Sequence, residues 1–264
     1  MNFKNKIVWI TGASSGIGKA LVYQLNEQGA KLIISSRRAE SLYAVKQKCK
    51  KNPLDIHVLP LDLEQKLILF SKADEAWRIY GKIDILISAG GISQRGQVIE
   101  MESAIEEKIM NTNFWGTVNL SKALLPKMIA AESGHLVVLS SLVGKFGTQH
   151  RSTYSASKHA LHGYFDSLRC EVYDKGISVT MICPGFIKTN VTLNSVTASG
   201  EKYGVMDENQ ENGMSAYDCA AKILEAIDKK KEEVLIGGKE KYGVYIKRFF
   251  PKYFSKMIRK RKVI

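Results

Sequence analysis

Seven short runs of consecutive apolar residues punctuate the chain, at 7–10, 32–35, 56–59, 83–87, 136–140, 179–182 and 234–236. The runs are apolar throughout and do not alternate with polar positions, as expected of strands covered on both faces. The first six are separated by segments long enough to be crossover helices. Such alternation predicts an α/β fold: one Rossmann-type domain over residues 1–238, a doubly wound parallel sheet of about seven strands, with ligands beyond the strands' carboxyl ends. Residues 186–215 break the rhythm. They are polar, rich in Ser, Thr, Asn and Gly, and lack helical period, as a lid or a floppy surface loop does. Residues 239–264 read as a separate amphipathic extension. There Tyr242, Tyr245, Ile246, Phe249, Phe250, Tyr253, Phe254, Met257 and Ile258 recur with helical period opposite a row of Lys and Arg. Pro251 kinks this helix or starts a second one.

Directly after the first run stands Thr11-Gly12-Ala13-Ser14-Ser15-Gly16-Ile17-Gly18. Gly12, Gly16 and Gly18 let the chain turn tightly and bring its backbone close to a pyrophosphate. The helix that starts there offers free N–H groups and a positive dipole end. The segment Gly12 to Gly16 also fits the G-x-S-x-G nucleophile elbow. That elbow normally follows several strands and needs a downstream His, whereas this one follows the first strand and no His occurs after His162. A P-loop fits poorly, because the segment ending Gly18-Lys19 is one residue too long and Ala20 cannot ligate magnesium. At the end of the second run, Arg37 and Arg38 stand where an acidic residue would hold a ribose 2′-OH. Planar guanidinium groups suit a 2′-phosphate, so NADP(H) is expected over NAD(H).

Tyr154 and Lys158 lie four apart on a segment of helical character, hence on one helix face within reach of a shared ligand. A free Tyr has a pKa near ~10, too high to shuttle protons at neutral pH. A neighbouring ammonium lowers it, which is the expected effect of Lys158 on Tyr154. Thirteen residues before Tyr154, at the end of an apolar run, is Ser141.

In this order and at these distances, the three motifs resemble the short-chain dehydrogenase/reductase family over roughly residues 5–238. The extension is similar to that of its membrane-associated members acting on steroids, retinoids and related lipids. The resemblance implies an oxidoreductase acting on a carbonyl or secondary alcohol. Ser141 would polarise the substrate oxygen, Tyr154 would exchange the proton, and Lys158 would also hold the nicotinamide ribose. Asn113 would support the lysine through water. Asp62 would lie beside the adenine, although an N-cap of the following helix is equally compatible. Gly90 would approach the cofactor with its backbone, while Ser88 and Ala89 depart from the family's paired asparagines. Pro184 and Gly185 would pack on the nicotinamide and Thr189 would meet its carboxamide. The family's habit of assembly implies a homodimer or homotetramer through the helices carrying Asn113 and Tyr154.

Charge sharpens the picture of the extension. It holds ten of the 39 Lys and Arg but one of the 26 acids, so it carries +9 of the net +13. Aromatics opposite cations suit an anionic membrane interface and a lipophilic substrate; docking on its own fold or on a partner subunit is the other reading. A nearly balanced core without a reader motif argues against nucleic acid. Four scattered cysteines fit a reducing, cytoplasmic compartment with peripheral membrane contact through the extension. No second ligand stands at metal spacing to His150, His159 or His162, so no metal is expected. A nucleotide-binding protein with little turnover, tethered to a membrane or partner, is the competing functional reading.

Overall fold

A computed structural model of the chain describes residues 3–260. In chain order its elements are β1 (Ile7–Thr11), α1 (Gly16–Glu27), β2 (Lys31–Ser35), α2 (Ala39–Gln47), β3 (Ile56–Val58), α3 (Leu69–Tyr80), β4 (Ile85–Ser88), α4 (Ser103–Met110) and α5 (Gly116–Ala130). They continue with β5 (Gly134–Leu139), α6 (Ser152–Glu171), β6 (Ile177–Pro184), β7 (Ile187–Lys188), α7 (Glu208–Glu211), β8 (Met214–Ser215), α8 (Ala216–Asp228), β9 (Glu233–Ile236), α9 (Tyr242–Phe249) and α10 (Pro251–Lys260).

Seven strands form one parallel sheet in the order β3-β2-β1-β4-β5-β6-β9, as the apolar runs predict. Successive side chains of a strand point to opposite faces. Val8 and Ile10 therefore join Leu21 and Leu25 of α1 and Ile223 and Leu224 of α8 in one apolar layer. Ile7 and Trp9 join Leu69 of α3, Leu124 of α5 and Phe165 of α6 in the other. Because both layers are apolar, the strand between them has no polar face to show. The chain winds outward from β1 to β3, then returns to place β4 on the other side of β1. That reversal opens a crevice at the carboxyl ends of β1 and β4, where a doubly wound sheet takes its ligands.

One buried polar pair makes a test of the sheet. His135 on β5 has Nε2 2.8 Å from Thr180 Oγ1, and that hydroxyl donates to Lys231 O at 2.6 Å. Since the threonine's proton is committed, Nε2 is the donor. Burial first, then Lys230, lowers its pKa from 6.5 to about 4. The unfolded chain thus binds a proton that the fold refuses. Stability should fall as pH drops from 6.5 towards 4, by an amount on the order of 3 kcal/mol. Thermal melting across this window should show a flatter acid limb in His135→Gln; parallel limbs in the two proteins would contradict the assignment.

The 186–215 segment is built from the β7–β8 pair and the single turn of α7. It is stitched to the loop after β4: Val196 N donates to Ser93 O at 2.9 Å and Arg95 N to Val196 O at 2.8 Å. The basic extension is two helices, with Pro251 as the first residue of the second. A proline is tolerated there because the missing N–H has no intrahelical partner to lose. The pair folds back on the domain. Phe254 is buried against Phe146, ring centroids 5.1 Å apart, and shares a cluster with Leu142, Val143 and Cys183. Lys247 Nζ donates to Lys145 O at 3.2 Å. The apolar positions of the extension therefore do not form one free face: Phe254, Met257 and Ile258 turn inward, whereas Tyr245, Phe249, Phe250 and Tyr253 stay exposed. Residues 261–264 of the extension lie outside the described residues.

Candidate active site

The turn after β1 is built by its glycines. Gly12 has φ +67° and passes so close to the end of β4 that an added Cβ would lie 2.7 Å from Gly90 N. At Gly18 an added Cβ would lie 2.3 Å from Gly12 O, so only glycine lets the first turn of α1 sit against the strand's end. Ser15 precedes α1 without a side-chain cap, and the first turn carries no acid. The helix therefore points uncapped N–H groups and its positive end into the crevice, the arrangement that holds a pyrophosphate. Gly16, at φ +52°, faces Thr189 across the gap.

One cleft of about 500 Å³ gathers the residues singled out from the sequence: Gly12, Ser14, Ser15, Gly16, Ile17, Gly18, Arg37, Arg38, Asp62, Gly90, Ser141, Tyr154, Lys158, Pro184, Gly185 and Thr189. Arg37 and Arg38 are exposed at the end of β2, at the start of α2. Asp62 does not cap a helix. Its Oδ1 accepts from Glu64 N at 3.1 Å in a local turn, well before α3. Gly90 N donates to Thr11 Oγ1 at 3.2 Å, which ties the ends of β1 and β4 together.

At the other end of the cleft, α6 brings Tyr154 and Lys158 to one face. Its first turn is held from outside, because Tyr154 N donates to Gln94 Oε1 at 3.1 Å and Gln94 Nε2 donates to Ser152 Oγ at 3.1 Å. Ser140 and Ser141 part company at the end of β5. Ser140 is buried and donates to Lys158 O at 3.2 Å. Ser141 faces the cleft, accepts from Val143 N at 3.3 Å and donates to Pro184 O at 3.4 Å, and its hydroxyl draws the pKa of the Tyr154 phenol down. Lys158 is buried, donates from Nζ to Leu139 O at 2.8 Å, and burial lowers its pKa to about 8.

The Tyr154 pKa is raised, not lowered as Lys158 alone would predict. Burial dominates, and the counterweight comes from Arg151, the Ser141 hydroxyl and Arg95. Lys158 Nζ lies 5.8 Å from the centre of the Tyr154 ring, over its face. Burial thus keeps the phenol protonated at neutral pH.

Asn113 stands behind the cleft wall, fully buried. It occupies a π-helical turn, Asn111–Trp115, between α4 and α5. The Asn113 carbonyl accepts from Thr117 Oγ1 at 3.0 Å. Its amide bridges two walls: Nδ2 donates to Ile92 O at 2.9 Å and Ser157 Oγ at 3.0 Å, and Oδ1 accepts from Ile92 N at 2.8 Å. It joins the loop after β4 to the helix of Tyr154.

Several contacts here were not foreseen from the sequence. Glu240 Oε1 accepts from Phe186 N at 3.1 Å and Gly238 N at 3.0 Å, underneath the Pro184–Gly185 turn. Ile258 of α10 lines the cleft. Arg95, Arg151 and Asp207 meet in the cleft near Tyr154. His162 Nε2 lies 3.6 Å from Cys183 Sγ and its Nδ1 lies 3.4 Å from Glu233 Oε2, a carboxylate already paired with Lys145 at 2.5 Å. These three donors come from α6, β6 and β9, so no spacing in the sequence announces them.

A family model described as short chain dehydrogenase matches residues 6–199. The chain is 39% identical to dehydrogenase/reductase SDR family member 7B of Bos taurus over 98% of this chain and 82% of that protein. It is 40% identical to dehydrogenase/reductase SDR family protein 7-like of Anopheles gambiae, covering 89% and 76%. Among solved structures, a short-chain dehydrogenase from Streptomyces avermitilis superposes with TM-score 0.81 at 26% identity, covering 97% of this chain and 98% of that one. A short chain dehydrogenase/reductase from Burkholderia phymatum, solved in complex with NAD, shares the fold at TM-score 0.83 and 19% identity over 100% and 98%. The glycine turn, the switch-point crevice and the extent of these matches lead to one conclusion: the chain belongs to the short-chain dehydrogenase/reductase family and is an oxidoreductase of the CH–OH/C=O class.

Proposed function

We propose that the protein is an NADP(H)-dependent reductase of a carbonyl compound, with Tyr154 as the proton donor. One observation carries this reading: a protonated phenol and the Ser141 hydroxyl meet at the same end of the cleft that begins at the glycine turn. NADPH, when bound, supplies the hydride. The uncapped start of α1 would take its pyrophosphate, and Arg37 and Arg38 would take the 2′-phosphate as charge-assisted, fork-shaped donors. Pro184, Gly185 and Thr189 would border its nicotinamide end, and Lys158 its ribose. Ser141 donates to the substrate oxygen and polarises the carbonyl as negative charge develops there. Tyr154 passes its proton to that oxygen. Lys158 and Asn113 hold the helix and the cleft wall in register around it.

The body of the substrate is apolar, because Leu142, Val143, Phe146 and Ile258 line this end of the cleft. Exposed Tyr245, Phe249, Phe250 and Tyr253 beside Lys252 and Lys256 suit an anionic membrane surface. No helix among the described residues is long and apolar enough to cross a membrane. Exposed Leu67, Phe70 and Trp115, beside the helices of Asn113, support a homodimer or homotetramer.

The test is NADPH oxidation against a panel of apolar aldehydes and ketones, run across pH in both directions. With the phenol's pKa raised above 10.0, reduction should hold level through neutral pH and decline only in strong alkali. Oxidation of the product alcohol needs the phenolate, so it should climb throughout the alkaline range. Turnover with no member of the panel, or reduction that falls between pH 6 and 8, argues against this assignment of the acid.

A further inference from the structure

One carboxylate ties the turn after β6 to the basic extension. Glu240 stands between β9 and α9, and its Oε1 accepts from Phe186 N at 3.1 Å and Gly238 N at 3.0 Å. The bond to Gly238 closes a local turn, whereas the bond to Phe186 spans 54 positions and joins two strand ends. Three glycines make room for the group. An added Cβ would lie 2.3 Å from Oε1 at Gly185, 2.4 Å from it at Gly237 and 2.9 Å from Oε2 at Gly238. None of the three has a positive φ, so the space taken by the carboxylate, not the backbone conformation, calls for glycine. Glu240 lines the cleft together with Pro184, Gly185 and Thr189, and Thr189 faces the glycine turn at Gly16. Beyond Glu240 the extension grips the other flank of the cleft. Buried Gly243 of α9 faces the rings of Phe146 and Phe254, Lys247 Nζ donates to Lys145 O, and Gln149 Nε2 donates to Arg259 O at 3.2 Å. Lys145, Phe146 and Gln149 belong to the loop after β5 that begins at Ser141.

We propose that Glu240 is a positioning residue that couples the extension to the turn after β6, so that docking of α9 and α10 sets how firmly the nicotinamide end of the cofactor is held. This rests on the reading of the cleft as a nucleotide site with Pro184 and Gly185 at its nicotinamide end. The cause is a donor that has to be satisfied. Without the carboxylate the part-buried Phe186 N–H loses its acceptor, and a donor left unpaired costs more than a made bond gains. The turn recovers a partner only by moving towards water, which takes Pro184 and Gly185 off the cofactor.

The experiment follows the full chain by amide hydrogen exchange and by NADPH titration. In the wild type NADPH should slow exchange at residues 185–189 and also at 241–247, none of which lines the cleft in the latter stretch. Slowing confined to 185–189 overturns the coupling. Glu240→Ala should weaken NADPH binding about tenfold, lower kcat more than it changes the KM of the ketone, and leave 241–247 indifferent to the nucleotide. Glu240→Gln keeps an acceptor oxygen in place and should restore the affinity to within about twofold of wild type. If Glu240 only stiffens the fold, Glu240→Ala lowers the melting temperature and leaves the affinity and the exchange response unchanged, which overturns the proposal. Should Glu240→Ala fail to fold, the wild type and Glu240→Gln decide: a nucleotide response at 241–247 in both supports the coupling, and its absence from the wild type refutes it. A wild type that binds no nucleotide strikes the reading of the cleft and the proposal with it. Nucleotide bound with 241–247 unmoved strikes the proposal alone.

Discussion

Tyr154→Phe should lower kcat for carbonyl reduction by about 10²–10⁴-fold while NADPH binding changes only a few-fold. The substitution keeps the ring that packs against the cluster of Leu142, Val143, Phe146, Cys183 and Phe254 and removes only the hydroxyl. The helix is held at this point by the Tyr154 backbone N–H on Gln94 and not by that oxygen. The loss is therefore one of chemistry. Ser141→Ala should cost less, because a polarising donor is removed while the proton source remains. Steady-state kinetics with a nucleotide titration on the same preparation separates the two parameters. Retention of full activity by Tyr154→Phe would remove the phenol from the mechanism.

The second large effect is expected at Gly18, where chemistry plays no part. An added Cβ would meet Gly12 O at 2.3 Å and Gly12 C at 2.8 Å, and both are backbone atoms that cannot swing aside. Gly18→Val must therefore lift the start of α1 off the end of β1 and re-aim the N–H groups meant for the pyrophosphate. Affinity for NADPH should fall by about 100-fold or more, with a stability loss of about 2–4 kcal/mol from the disturbed helix–strand contact. Gly147, which an added Cβ would leave in open space, is the control and should tolerate Ala. Calorimetry and denaturant melts report the two losses independently. Unchanged nucleotide binding in Gly18→Val would mean that α1 does not serve the cofactor.

How much of this was legible in the sequence depended on distance along the chain. The strands of the sheet were readable because each is a local run whose residues serve two apolar layers, as Ile7, Val8, Trp9 and Ile10 do. The glycine turn was readable because Gly12, Gly16 and Gly18 solve a local steric problem. Tyr154 and Lys158 share a helix face, so their spacing sufficed. Groups assembled from distant segments left no such trace. Asp207 reaches Arg95 across 112 positions, and Glu240 reaches Phe186 across 54. The electrostatics of Tyr154 went astray for the same reason: the sequence offered Lys158 as the nearest cation, while folding brought Arg151 and Arg95 to the phenol. The extension showed its helical period but not its two-sided use, since the partner of Phe254 is Phe146, far upstream on the loop after β5.

The central claim is that the cleft belongs to a reductase built for NADP(H). It is tested most directly by titrating the wild-type protein with NADPH and, separately, NADH, following the nicotinamide fluorescence. Tighter binding of NADPH by about tenfold or more, with the difference erased in Arg37→Ala, is the predicted result, since one charge-assisted phosphate contact is worth about 1.5–3 kcal/mol. Equal affinity for the two nucleotides would overturn the cofactor assignment, and no binding of either would contradict the account as a whole.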